Sequence, residues 1–434
     1  MFICDNLSIG PNGHLFFAGQ DTVALAKQYG TPLYLLDEER VRRNCRTYKE
    51  AMRRVFGERA LPLYASKANS FRQIYRIMQE EAMGTDVVSP GEIVTAKSAG
   101  FPMENAFFHG NNKTPEDVAL AMDNQVGYFV VDNEEEVFRI EQEAQKRGIC
   151  QKVLIRITPG IDTHTYEAVN TGKVDSKFGN AILTGQAEKI TLLALSQKHL
   201  SVVGFHCHVG SQVFAEDVFE RAATIMIEFM ADMKKKHNYT AEALDLGGGY
   251  GVRYVEEDPV LDIPTKLAEV GKAIQTACQK NDFPVPFVYL EPGRSIVADA
   301  GMTLYTVGSC KTIPGYKRYV SIDGGMADNP RYALYRSKYT CLLANKISSE
   351  APRQKCSVVG RCCESGDIIQ ENVPLPEDVE AGDILAVCTT GAYNYAMSSH
   401  YNRLPNPPTV LLKDGTSYVA VRRETLEDLY RLDN

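Results

Sequence analysis

The chain has 434 residues, more than one ordinary domain uses, and 44% hydrophobic against 24% charged residues is the composition of a folded globular protein, not a disordered one. The net charge of −8 gives no reason to expect a basic surface for nucleic acid or an anionic membrane. The opening MFICDNLSIG has no basic segment ahead of a long apolar stretch, and no run approaches the roughly 18 apolar residues of a membrane span. Eleven cysteines without a C-x-x-C pair read as reduced, cytoplasmic thiols, so neither zinc nor any other metal is expected.

The first 35 or so residues carry NGHLFFAGQ and TPLYLLD, which read as strands. From residue 61 short apolar strands alternate with longer amphipathic segments. The strands are LPLYAS, GTDVVS, AFFHG, GYFVVD, KVLIRITPG, SVVGFHCHVG, ALDLGGG and FVYLEPG. Segments such as PGEIVTAKSAG and NEEEVFRIEQEAQKRG have helical spacing. Continuous apolar strands separated by helices argue for a covered parallel sheet, and eight units suggest a (β/α)8 TIM-type barrel. An open, doubly wound sheet would read similarly along the chain. After residue 295 β-rich runs such as MTLYTVGSCKTIP, KRYVSIDGG and GDILAVCTTGAY, punctuated by Gly and Pro, predict a mostly antiparallel β domain. The expected division is a barrel over residues 36–295 and a β-rich domain built from 1–35 and 296–434.

Barrels of this type work at the C-terminal ends of their strands. Here those ends carry Lys67, Asp86, Ser89, His109, Asp132, Arg156, His208, Ser211, Gly247, Gly248, Gly249, Glu291 and Arg294. Lys67 follows an apolar strand and has only small flanks. The turn DLGGGYG offers backbone N–H groups that can cradle a phosphate, although a plain tight turn is the ordinary explanation. It is neither G-x-G-x-x-G nor a Walker loop. EPGR sets a carboxylate and a guanidinium three residues apart, which is either a surface ion pair or a grip on a cationic ring nitrogen and an anion. In FHCHVGSQ, His206 and His208 alternate on one face of a strand. Spacing supplies no third metal ligand, so an aromatic platform at His208 is the better reading. Lysine, glycine turn, acid and flat ring together suit pyridoxal phosphate, which needs a Schiff-base amine, a partner for its ring nitrogen and donors for its phosphate.

The second half adds GRCCESGD, where a thiol and a carboxylate adjoin, and TGAYNYAMSSHYN, an aromatic and hydroxyl-rich loop. NPRYALY places Arg331 and Tyr335 four apart, so in a helix they share a face that can bind one carboxylate. Each has a plain reading too, as core thiol, core edge or exposed helical turn.

In YASKAN, HVGSQ, DLGGGYG, EPGR, CCESGD and GAYNYAMSSHYN the chain resembles the diaminopimelate decarboxylases, pyridoxal-phosphate enzymes of the alanine-racemase-like barrel class, and the resemblance covers nearly its whole length. The stretch 163–179 matches that family's active-site loop. Several motifs are shared with ornithine and arginine decarboxylases, while DSKFG, CESGD and SSHYN lean toward diaminopimelate. The resemblance implies that Lys67 holds the cofactor, His208 stacks on its ring and Glu291 pairs with the ring nitrogen. Asp86, Ser211, Gly247, Gly248, Gly249, Pro292, Gly293, Arg294 and Tyr393 would complete the cofactor site. Arg294, Arg331, Tyr335, Glu364 and Tyr393 would contact substrate, and Cys363 would donate the proton. In that family Cys363 and Glu364 enter from a partner subunit, so a homodimer with active sites at the subunit interface is implied. The implied reaction converts meso-2,6-diaminopimelate to L-lysine and CO2, the last step of lysine biosynthesis. A decarboxylase of ornithine, arginine, lysine or a related amino acid, or a non-catalytic cofactor-binding regulator, would share the fold. Tyr332 stands where the family commonly has proline, and a local backbone change is expected there.

Overall fold

The computed structural model describes residues 2–161 and 176–434 and divides into two compact units. One comprises residues 44–251 and 261–293; the other comprises residues 1–43, 252–260 and 294–434. Of the stretch 163–179, residues 163–175 lie outside the described residues.

The first unit is a closed barrel of eight parallel strands: Ala60–Ala65, Gly84–Val87, Ala106–Phe108, Tyr128–Val131, Gln151–Thr158, Leu200–His206, Ala243–Asp245 and Phe287–Leu290. Every strand expected from residue 61 onward is present. Neighbours in sequence pair in turn, for example Leu63 with Gly84 and Phe129 with Val153, and Val288 beside Ala60 closes the ring. An open sheet is thereby ruled out. The barrel is filled by Leu63, Phe107, Val130, Leu154, Ala243 and Tyr289, contributed by six different strands. Phe107 stacks on Tyr128 with ring centroids 4.2 Å apart and meets Tyr289 at 4.9 Å.

The connecting helices begin where the chain carries capping chemistry. Ser89 accepts the Glu92 N–H ahead of Pro90–Ser98, and Thr114 forms a capping box with Asp117 ahead of Pro115–Asp123. Helix Glu134–Arg147 is capped by Asn133, opens on three glutamates and ends on Lys146, Arg147 and a left-handed Gly148, as the helix dipole favours. Close packing between strands also restricts residue size. A Cβ on Gly204 would lie 1.9 Å from the Ala243 carbonyl oxygen on the next strand.

The second unit is β-rich. Its largest sheet is built around the strand Gly301–Ile313, which pairs with Leu33–Asp37, Lys317–Ile322 and Ile384–Cys388. Most pairings are antiparallel, but Leu33–Asp37 runs parallel to Thr409–Lys413, and Lys317–Ile322 parallel to Arg353–Val359. The strand from TPLYLLD therefore lies inside this sheet. Helix Thr22–Tyr29 and the strand Leu15–Phe17 cover its apolar face through Leu15, Phe17 and Leu25. Among the described residues no helix is long and apolar enough to cross a membrane.

Replacing Phe107 with Ala removes the ring that bridges two other barrel aromatics. We expect a loss of about 3–5 kcal/mol in unfolding free energy, read from the urea midpoint at constant slope; a loss below about 1 kcal/mol would mean the barrel floor refills.

Candidate active site

Lys67 sits on a single 3-10 turn, Ser66–Ala68, directly after the first barrel strand. Its side chain is exposed while Ser66, Ala68 and Asn69 are buried. Two contacts fix the turn. Asp86 Oδ1, at the end of the second strand, accepts the Ser66 N–H at 2.9 Å, and Tyr64 donates its hydroxyl to the Asn69 carbonyl at 2.8 Å. Asp86 is thus placed as an anchor of the lysine turn. Burial pushes its carboxyl well above the ordinary range, while the Lys67 charge pulls it back. The small flanks of Lys67 have a packing reason: a Cβ on Gly293 would lie 2.7 Å from the Ala65 Cβ and 3.1 Å from the Ala68 Cβ. Pro292 accepts the Ala65 N–H at 3.2 Å, so Pro292 and Gly293 lie directly against the lysine strand.

Glu291 follows the eighth strand and is buried between two imidazoles. His206 Nε2 lies 3.1 Å from Oε2 and His109 Nε2 lies 2.6 Å from Oε1. The His109 contact lacks hydrogen-bond alignment, so Oε1 has no aligned donor among the described residues. Burial would raise Glu291, but the two histidines outweigh it and hold the carboxyl well below its usual range. His206 is pushed down to about 4 by burial, and His109 is lowered for the same reason.

This corrects the sequence reading of FHCHVGSQ. The strand ends at His206, so alternation does not carry on to His208. His206 turns to Glu291, while His208 Nδ1 accepts the Gly248 N–H at 3.2 Å. The histidine missing from that reading is His109. Among the described residues, His109, His206 and Glu291 are the one group whose ligand atoms come close enough, within 4.8 Å of one another, for a metal ion. The partner of His206 that spacing did not reveal is thus a glutamate 85 residues further along the chain.

The glycine turn is tightly engaged. Gly247 donates its N–H to Asp245 Oδ1 at 2.8 Å and Gly248 donates to His208, so both groups are engaged within the protein, where the sequence suggested that they could cradle a phosphate. What the glycines provide is proximity: a Cβ on Gly248 would lie 2.1 Å from the Glu291 carbonyl oxygen, and one on Gly249 2.2 Å from that of Gly210. Val213 donates to the Gly249 carbonyl at 2.9 Å, which brings the segment of Ser211 alongside the turn. The loop after the third strand is held by a buried lysine that the sequence reading passed over. Lys113 donates to the Gly110 and Val130 carbonyls at 2.8 and 2.7 Å and pairs with Glu136 at 3.1 Å. Asp132 accepts the Gly179 N–H at 2.8 Å, and Arg156 lies over the Phe178 ring at 4.5 Å.

In the β-rich unit two buried guanidiniums share aromatic neighbours. Arg294 donates to the Tyr254 hydroxyl at 2.7 Å and lies 4.7 Å from the Tyr393 ring centroid. Arg331 lies 4.7 Å from the Tyr254 ring centroid and donates to the Tyr339 hydroxyl at 2.7 Å and to Ser337 Oγ at 3.1 Å. Burial would raise Tyr254, but the two arginines reverse the shift and lower it. Tyr254 and Tyr339 carry no motif, and nothing in their spacing marks them. Arg331–Tyr335 is a short helix in which Arg331 is buried and Tyr335 half-buried. Tyr332 donates its hydroxyl to Glu371 at 2.7 Å. Cys363 and Glu364 are exposed.

An eight-stranded parallel barrel with a strand-end lysine and a buried carboxylate is the architecture of the pyridoxal-dependent decarboxylases, and the family model for their pyridoxal binding domain matches residues 38–298. A diaminopimelate decarboxylase of Bacillus subtilis (strain 168) is 42% identical over 433 residues, covering 100% of this chain and 98% of its own. One from Actinosynnema pretiosum subsp. auranticum is 44% identical over 420 residues, covering 96% and 92%. Among solved structures, a diaminopimelate decarboxylase from M. jannaschii in complex with L-lysine superposes with a TM-score of 0.92 at 32% identity, covering 100% of this chain and 99% of that one. This chain belongs to the diaminopimelate decarboxylase family.

Burial pushes His206 from the ordinary imidazole value near 6.5 down to about 4 in the folded chain. Between those values the unfolded chain binds more protons, so stability falls as the pH drops from about 6.5 toward 4, by up to ~1.4 kcal/mol per pH unit from this group. Urea unfolding across that range should show a shallower fall for His206→Gln than for the unaltered chain; equal slopes would mean that His206 is not held neutral.

Proposed function

We propose that the chain is a pyridoxal-phosphate-dependent carboxy-lyase that removes one carboxylate of meso-2,6-diaminopimelate, giving L-lysine and CO2 in the last step of lysine biosynthesis. The observation that carries this reading is the full-length match to diaminopimelate decarboxylases in a chain that keeps Lys67 and an ionised Glu291 at the barrel strand ends. Pyridoxal phosphate supplies an aldehyde that captures the substrate amine and a protonated ring that takes up the electrons of the broken bond.

The barrel unit is the cofactor-binding part, and its residues fit that group. Glu291 Oε1 is buried, belongs to an ionised carboxylate and lacks an aligned donor, so it can accept a hydrogen bond from a protonated pyridine nitrogen. His109 and His206 hold that carboxylate in place from either side. His208 offers a flat ring face, held by the Gly248 N–H. Lys67 Nζ is the covalent tether, on a turn that Asp86 anchors. Ser211, Gly249, Pro292 and Gly293 make room by close backbone packing.

The β-rich unit supplies the cations. Arg294 and Tyr393 bind an anionic group, and Arg331, supported by Tyr339 and Tyr254, binds the distal carboxylate of the substrate. Tyr335 borders it, and Glu364 receives the distal ammonium. Cys363 Sγ protonates the α-carbon after CO2 leaves. Ornithine lacks the distal carboxylate, so Arg331 selects against it. The exposure of Cys363 and Glu364 on the single chain supports a homodimer in which each subunit lends both residues to the other's site. Eleven thiols suit a reducing, cytoplasmic setting.

Borohydride reduction of protein loaded with pyridoxal phosphate, followed by peptide mapping, should fix the cofactor on Lys67 and fail with Lys67→Ala; labelling elsewhere refutes the tether. CO2 release from meso-diaminopimelate should exceed that from L-ornithine, L-arginine and L-lysine by at least ~100-fold. Comparable rates would place the chain among the other decarboxylases. Mixing Lys67→Ala with Cys363→Ala, each inactive alone, should restore roughly a quarter of normal turnover through hybrid dimers. No recovery would put both residues in one subunit's site.

A further inference from the structure

The last residue of CCESGD has no part in the chemistry above, yet both of its carboxylate oxygens are engaged. Asp367 is buried. Its Oδ2 accepts the N–H of Cys362 at 2.7 Å, next to Cys363 and Glu364. Its Oδ1 accepts the N–H of Met326 at 2.6 Å, on the segment that leads into Arg331. The space it occupies is reserved: a Cβ would lie 2.5 Å from the Asp367 carboxylate if added to Gly325 and 2.3 Å if added to Gly360. Backbone bonds run the two loops side by side, Arg361 N–H to the Gly324 carbonyl at 3.0 Å and Gly360 N–H to that of Asp367 at 3.1 Å.

A third loop joins the same knot. Asn402, in the left-handed region at φ 52°, accepts the Cys363 N–H through Oδ1 at 2.7 Å, and Ser399 donates its N–H to the Ala327 carbonyl at 2.8 Å. The loops bearing Cys363 and Glu364, leading into Arg331, and following Tyr393 are thus held as one body.

We propose that Asp367 is a positioning residue that locks the loop of Cys363 and Glu364 to the loop leading into Arg331, so that the thiol and acid lent to the partner's site and the arginine of the chain's own site are preset together for substrate. This rests on the substrate roles given above. The site demands a carboxylate because both oxygens must accept. An amide offers one acceptor and turns an NH2 toward a backbone N–H, leaving a buried donor unpaired.

Asp367→Asn should raise the KM for meso-diaminopimelate at least ~10-fold, while borohydride fixation of the cofactor on Lys67 is unchanged. A purely structural role would shrink the active fraction and lower kcat without moving KM, so a KM within about two-fold of normal overturns the proposal. Should that variant not fold, amide hydrogen exchange on the unaltered chain decides. The Cys362 and Met326 N–H groups should exchange slowly and at matching rates; fast or independent exchange overturns the lock. Exchange needs no substrate, so it stands even if meso-diaminopimelate is not turned over, a result that would sink the proposed reaction alone.

Discussion

Everything in the barrel mouth depends on one buried anion. Taking a carboxylate out of water costs several kcal/mol unless it is matched by oriented partners. Glu291 has them in His206 and His109, and the cluster lowers its pKa despite full burial. These residues come from the ends of the eighth, sixth and third strands, which are not neighbours in the sheet. Only a closed ring directs the ends of such strands at one point, so closure of the sheet is also what permits the charge.

The tight backbone around Glu291 follows from the same requirement. The Gly247 carbonyl accepts the Glu291 N–H at 2.7 Å, and Gly248 passes so near the Glu291 carbonyl that no side chain fits. The glycine turn therefore sets the position of the acid as well as bordering it. Across the lysine strand the close approach of Gly293 to Ala65 and Ala68 does the same for the turn of Lys67. Small residues here are demanded by backbone packing as much as by room for a flat ring. In the β-rich unit the equivalent device is aromatic: Tyr254 and Tyr339 accept hydrogen bonds from buried guanidiniums and line them with ring faces, which lets Arg294 and Arg331 remain charged out of water.

Much of this was legible along the chain. Lys67, Asp86, His208, the glycines, Glu291 and Arg294 were marked by standing at the ends of apolar strands, because strand ends in a barrel converge. Arg331 and the CCESGD loop were marked by motif. His109 was visible as a strand end but not as a partner, since its partner lies across the barrel. Lys113, Tyr254 and Tyr339 were invisible: their roles come from burial and long-range contact, which leave no local period.

The sequence by itself determined the alternation of strand and helix, the change to β-rich texture after residue 295, and the residue types available for Schiff-base and acid chemistry, because these are local properties written in period and composition. Only the tertiary structure decided that the sheet closes, that His206 rather than His208 meets Glu291, that two glycine N–H groups are engaged inside the protein, and that Asp367 joins separate loops. Each is set by pairing between residues tens or hundreds apart, and burial alone gives such pairs their energy.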